Sequence, residues 1–115
     1  MIITTIAACL MMVPVLAAEM PKEATTLGCV ACHSIDKKGV GPSWQEVADR
    51  YTGKGVKKFT YEGKTYPLIE GLVMKASKGG SGNWGQMPMP PNDPAGMHKA
   101  EITKLIEFEQ SLAKK

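Results

Sequence analysis

Apolar positions along the chain recur with a helical period in three places. Trp44, Val47, Ala48 and Tyr51 stand at i, i+3, i+4 and i+7, and Ser43 and Glu46 ahead of them have the spacing of a capping box. Leu68, Ile69, Leu72, Val73 and Ala76 follow Pro67, which opens a second helix, and Gly79-Gly80 stops it. Ile102, Leu105, Ile106 and Leu112 share a face of a third, running from about Lys99 to Ala113. A shorter helix is expected from about Pro21 to Leu27, with proline suited to its first turn and Gly28 to its end. Between residues 59 and 66 the period changes. Phe59-Thr60-Tyr61-Glu62-Gly63-Lys64-Thr65-Tyr66 alternates aromatic and polar residues around Glu-Gly, the pattern of a small hairpin. Gly- and Pro-rich loops separate these elements and no internal repeat is visible. The pattern predicts an all-α domain of four to five helices with one short hairpin.

The N-terminal stretch has a different character. Met1 to Ala18 contains no charged side chain and ends in Val15-Leu16-Ala17-Ala18. Cleavage after Ala17 or Ala18 satisfies the small-residue rule for a signal peptide, although no Lys or Arg precedes the apolar run. Two alternatives compete. An uncleaved anchor would have only about seventeen apolar-leaning residues, Pro14 among them, which is marginal for spanning a bilayer. Ile6-Ala7-Ala8-Cys9 resembles a lipoprotein box, but it falls early and more apolar chain follows it. Export is the favoured reading, with residues 1–18 as leader and 19–115 as one domain.

Composition limits what this domain can be. The 115-residue chain has room for one modest core, and its 6% aromatic content is low for a domain of this size. A bound group bringing its own aromatic surface would compensate. The formal charge of +3 resides wholly after Ala18, with Lys37 and Lys38 in one cluster and Lys54, Lys57 and Lys58 in another. Those clusters suit either acidic partners or an ordinary solvated surface. Nucleic-acid binding is unsupported, because no basic stretch is interleaved with stacking aromatics.

The candidate chemistry begins at Cys29-Val30-Ala31-Cys32-His33. Cys-x-x-Cys-His is the spacing at which a c-type haem is joined through two thioethers and ligated by the adjacent imidazole. Both thiols must lie on one short turn to reach two vinyl groups, and the histidine is thereby brought under the iron. A thioredoxin-like dithiol requires a βαβ context, which the flanking sequence lacks. A structural zinc site requires further ligands, and only Cys9 and His98 remain to supply them. His98 reads as a solvent-facing residue at the entrance to the last helix.

The second chemical element is Asn83-Trp84-Gly85-Gln86-Met87-Pro88-Met89-Pro90-Pro91-Asn92. Prolines on both sides of Met89 stiffen the chain and remove backbone donors, giving a non-helical strap. A thioether on such a strap is a candidate sixth ligand, soft enough to favour ferrous iron. Core packing is the competing role for Met87 and Met89.

Taken together, Gly28-Cys29-Val30-Ala31-Cys32-His33, then Val40-Gly41-Pro42, then Trp84-Gly85 through Pro88-Met89-Pro90-Pro91-Asn92 resemble the class I c-type cytochromes of the short bacterial kind. The match covers essentially the whole mature chain. It implies helices wrapped around one haem c, covalently held by Cys29 and Cys32, with His33 and Met89 on the iron and Met89 preferred to Met87. It also implies that the Pro42 carbonyl orients His33, that Trp84 lies beside a haem propionate, and that the Asn92 side chain approaches the axial sulfur. The 54–66 region is longer than in short relatives and reads as a tolerated surface loop.

The resemblance implies a periplasmic one-electron carrier working between redox protein partners, a membrane respiratory complex and a terminal reductase or oxidase. With both axial positions filled, no open coordination site serves a small-molecule substrate, and no hydrolytic residue set stands out. Membrane contact is expected to be peripheral or absent. The alternative is a haem c subunit bound permanently to a periplasmic dehydrogenase.

Overall fold

The computed structural model describes residues 18–114, so the expected leader lies outside the described residues apart from Ala18. Four helices and one hairpin follow in the order α1 (Lys22–Thr26), α2 (Trp44–Arg50), β1 (Lys58–Tyr61), β2 (Lys64–Pro67), α3 (Leu68–Lys78) and α4 (Lys99–Ser111). Among the described residues, no helix is long and apolar enough to cross a membrane.

Local chemistry accounts for the element ends. Pro21 takes the N-cap of α1 rather than its first turn, where its missing N–H is again no loss. The capping box of α2 is complete. Ser43 Oγ accepts from the Glu46 N–H at 3.1 Å, and Glu46 Oε2 accepts from the Ser43 N–H at 3.3 Å. Pro67 ends β2 and caps α3, so that helix begins one residue later than the proline. α4 ends at Ser111, two residues short of the sequence expectation.

The start of α4 uses a residue the sequence pattern does not single out. Asp93 is buried, and its two carboxylate oxygens accept from the backbone N–H groups of Met97 and His98, both at 2.9 Å. A carboxylate at this end also suits the helix dipole. His98 itself is exposed, as the sequence suggests.

Strands β1 and β2 pair antiparallel, with Phe59 opposite Tyr66 and Tyr61 opposite Lys64. Their two-residue turn holds Glu62 at φ 48° and Gly63 at φ 77°, the left-handed pair that matches strand twist. Reading this region as a tolerated surface loop is corrected here. Phe59 and Tyr61 are both buried, and they pack with Leu68, Leu72, Val73, Ile102 and Ile106 in the larger core cluster. The alternation that sends Thr60 outward sends both aromatics inward.

A second, smaller cluster gathers Ala24, Trp44 and Leu105. α4 serves both, through Ile102 and Ile106 on one side and Leu105 on the other. Each such side chain contributes about 1.5–3 kcal/mol on burial. The last helix thereby joins α1, α2 and α3 around a cleft.

Candidate haem site

One wall of the cleft is the turn that carries the thiols. After α1 the chain passes through Gly28 and winds a 3-10 turn over Cys29–Ala31. The N–H groups of Cys32 and His33 both donate to the Cys29 carbonyl, at 3.2 and 2.9 Å. Two sulfurs and one imidazole are thereby presented by a single turn. Both cysteines are free and half-buried. Burial, above all, pushes the Cys29 thiol up, with smaller contributions from the neighbouring Glu109 and Cys32.

His33 is oriented by the following loop. Its Nδ1 lies 2.8 Å from the Pro42 carbonyl oxygen. A carbonyl only accepts, so Nδ1 carries the proton and Nε2 keeps its lone pair for a metal. The loop runs tight against the ring, since a Cβ at Gly41 would lie 2.7 Å from His33 Cε1. Ser43, next in line, is held by the capping box, so the same local signal that starts α2 also fixes the carbonyl on the imidazole.

The other wall is the proline-flanked strap. Gly80 and Met89 form an antiparallel bridge, each N–H donating to the other's carbonyl at 2.9 Å. The Asn92 N–H and Asn92 Nδ2 both donate to the Ala76 carbonyl, at 3.3 and 3.1 Å, and the Asp93 N–H donates to Ser77. The strap is therefore stitched to the C-terminal end of α3. That stitching needs Gly79, which adopts φ 75° and leaves no room for a Cβ beside the Met89 carbonyl. Met89 is half-buried, whereas Met87 is 64% exposed.

All seven residues singled out from the sequence, Cys29, Cys32, His33, Pro42, Trp84, Met89 and Asn92, line one cavity between these walls. Met87 lines it too. Asn92 Nδ2 is engaged with Ala76. Trp84 lies under the Arg50 guanidinium, 4.2 Å from carbon to ring centroid, and meets the edge of Tyr51. Arg50 also donates to the Asn83 carbonyl at 3.0 Å, which ties the start of the strap to α2.

The donor set and the walls fit a covalently attached haem. Val47, Leu72, Ile102, Leu105 and Ile106 provide apolar surface, while the thiols, the imidazole nitrogen and the thioether are the donor types that attachment and soft ligation of such a group require. The competing readings of the thiols lack support. Among the described residues no group of three or more His, Cys, Asp or Glu is gathered for a metal ion, and the described strands form a single two-stranded antiparallel sheet.

One cavity residue escapes the motif reading. Glu109 lies on the apolar face of α4, is 5% exposed, and shares the cavity wall with Ile102, Leu105 and Ile106. Its register was the available signal, because it stands seven residues after Ile102 and four after Leu105.

Comparison with known proteins agrees with this geometry. Residues 21–113 match the family model described as Cytochrome c. The chain is 42% identical over 83 residues to cytochrome c-551 of Azotobacter vinelandii, covering 72% of this chain and 84% of that protein. It is 35% identical to cytochrome c-552 of Hydrogenobacter thermophilus, over 74% of this chain and 72% of the other. The crystal structure of Nitrosomonas europaea cytochrome c552 superposes with a TM-score of 0.60 at 30% identity, covering 78% of this chain and 95% of that one. With the fold, the thiol turn and the cavity in agreement, the chain belongs to the cytochrome c family, among its small class I bacterial members, and is an electron-transfer protein of covalently bound haem c.

Proposed function

We propose that this protein is a periplasmic one-electron carrier in which His33 and Met89 are the two axial ligands, and that it works between a membrane respiratory complex and a terminal reductase or oxidase. One observation carries the reading. His33, with Nδ1 spoken for by Pro42, and Met89, pinned to Gly80, line the same apolar cavity.

Haem c bound in this cavity supplies a one-electron iron couple. The protein's own residues do the rest. Cys29 and Cys32 anchor the group, and the Pro42 carbonyl fixes the imidazole tautomer. Met89 offers a soft sulfur that favours the reduced metal. The Gly80–Met89 bridge keeps that sulfur from yielding to water. Filling both axial positions leaves no place for a substrate, which supports electron carriage over catalysis. Exposed Lys37, Lys38, Lys54, Lys57 and Lys58 suit acidic redox partners, whose approach they would steer in a salt-dependent way. The uncharged Met1–Ala18 segment supports export.

The test is the absorption spectrum of holoprotein matured in a host that attaches haem c. Sulfur ligation gives ferric haem a weak red band, which Met89→Ala abolishes and Met87→Ala leaves. Loss in the Met87 variant alone, or ready binding of carbon monoxide to the reduced wild type at neutral pH, overturns this ligand assignment. Chromatography of a native periplasmic extract separates a free carrier from a bound dehydrogenase subunit, since only the former elutes alone.

A further inference from the structure

The register of α4 places an acid where the haem-facing surface is otherwise apolar. Ile102, Leu105, Ile106 and Glu109 occupy i, i+3, i+4 and i+7, and all four are buried and line the cavity. An unpaired carboxylate at such a position is costly. The structure gives it one hydrogen-bond donor, from Gln110 Nε2 at 3.0 Å. The Gln110 amide is itself oriented, because its Oε1 accepts from Thr52 Oγ1 at 2.6 Å and from the Thr52 N–H at 3.3 Å. Thr52 is exposed, so a buried, hydrogen-bonded acid inside the cavity is linked through two side chains to the surface.

We propose that Glu109 is a redox-linked proton site: its carboxyl takes up one proton when the iron is reduced and releases it to solvent when the iron is oxidised. The inference rests on the carrier reading above. The step balances, since oxidation sends one electron to the acceptor protein and one proton to water, and reduction reverses both. Its physical origin is Coulombic. Ferric iron adds one positive charge to a low-dielectric cavity, and that charge favours the carboxylate over the neutral acid. By linkage, the proton must then affect the electron as the electron affects the proton.

Burial pushes the Glu109 carboxyl up to about 8, opposed by the Gln110 hydrogen bond, so the change of state falls near neutral pH. Among the described residues, the titratable neighbours do not take its place. Just past the end of α2, Tyr51 is the titratable neighbour, and burial pushes its phenol further up. From the thiol turn, Cys29 faces it and becomes a thioether on attachment. α1 presents Ala24 to α4, and α3 presents Leu72, Ala76 and Lys75 to the cavity, with Lys75 pushed down from its usual value by burial.

The test is the midpoint potential of the haem-loaded protein as a function of pH, in wild type and Glu109→Gln. Wild type is expected to show a potential that falls as pH rises through the window around 8. The variant, uncharged throughout, is expected to be flat in that window and to lie near the wild-type low-pH value. Redox-difference infrared spectra of the wild type provide a second readout independent of any variant, in which a protonated-carboxyl band disappears on oxidation. A variant that keeps the wild-type slope, or a wild-type spectrum without a carboxyl band, overturns the proposal. A wild-type protein with no reversible one-electron wave instead overturns the carrier reading, so the two failures are distinguishable.

Discussion

The Tyr61 hydroxyl, on the hairpin, donates to the Gly79 carbonyl at the end of α3 at 2.7 Å, and both residues are buried. Gly79 is the residue against which the Met89 backbone packs. The hairpin therefore braces the strap from behind. Tyr61→Phe removes this hydrogen bond and leaves a buried carbonyl without a side-chain donor, at a cost of about 1–3 kcal/mol. Thermal or denaturant unfolding checks that cost. The same variant is expected to lose the sulfur-ligation band at a lower temperature than wild type does.

Gly79→Ala is expected to be more damaging to the strap than to the fold. Its backbone is left-handed at φ 75°, and the added Cβ collides with the Met89 carbonyl and the Pro90–Pro91 backbone. Gly82 has φ 108° but nothing within 4 Å of an added Cβ, so Gly82→Ala carries only the backbone penalty of about 1–2 kcal/mol. Spectra of the two variants should therefore differ, with the red band lost in the first and kept in the second.

Ser43→Ala breaks one half of the α2 capping box and is expected to cost about 1 kcal/mol. Because Ser43 follows Pro42 directly, the His33 hydrogen bond is expected to loosen as well. A lowered denaturation midpoint at unchanged m-value checks the first effect. A shift in midpoint potential checks the second.

The Glu109 carboxyl gives stability a definite pH dependence. Burial raises it in the native chain from the usual 4.5 to about 8, so the folded state holds this proton more tightly than the unfolded state does. The contribution is full below about 4.5, is lost as pH rises, and is gone above about 8. Denaturant unfolding of the reduced wild type across that range should show falling stability, while Glu109→Gln should remove the slope and exceed wild type at the alkaline end.

Much of this was legible in the residues, and the legible part is local. Ser43 and Glu46 announce α2 because a capping box is complete within four residues. Cys29, Cys32 and His33 announce the cofactor because its attachment chemistry demands that spacing. The Glu-Gly turn announces the hairpin, but not that Phe59 would pack over Gly71 or that Tyr61 would reach Gly79, because those partners lie on α3. Asp93 is not singled out by any local pattern, and its role emerges only with Met97 and His98 donating to it. Glu109 shows its register on α4 but not its partners, since the link runs through Gln110 to Thr52, which lies 58 positions from Gln110. What pairs across long stretches of chain leaves little trace in short patterns.

The position of α4 makes it a keystone. It touches α1, α2 and α3 alike, and Ile102, Leu105 and Ile106 on it supply one side of the cleft. A chain whose final helix has not docked therefore has an open-sided cradle, and docking of that one segment finishes the enclosure.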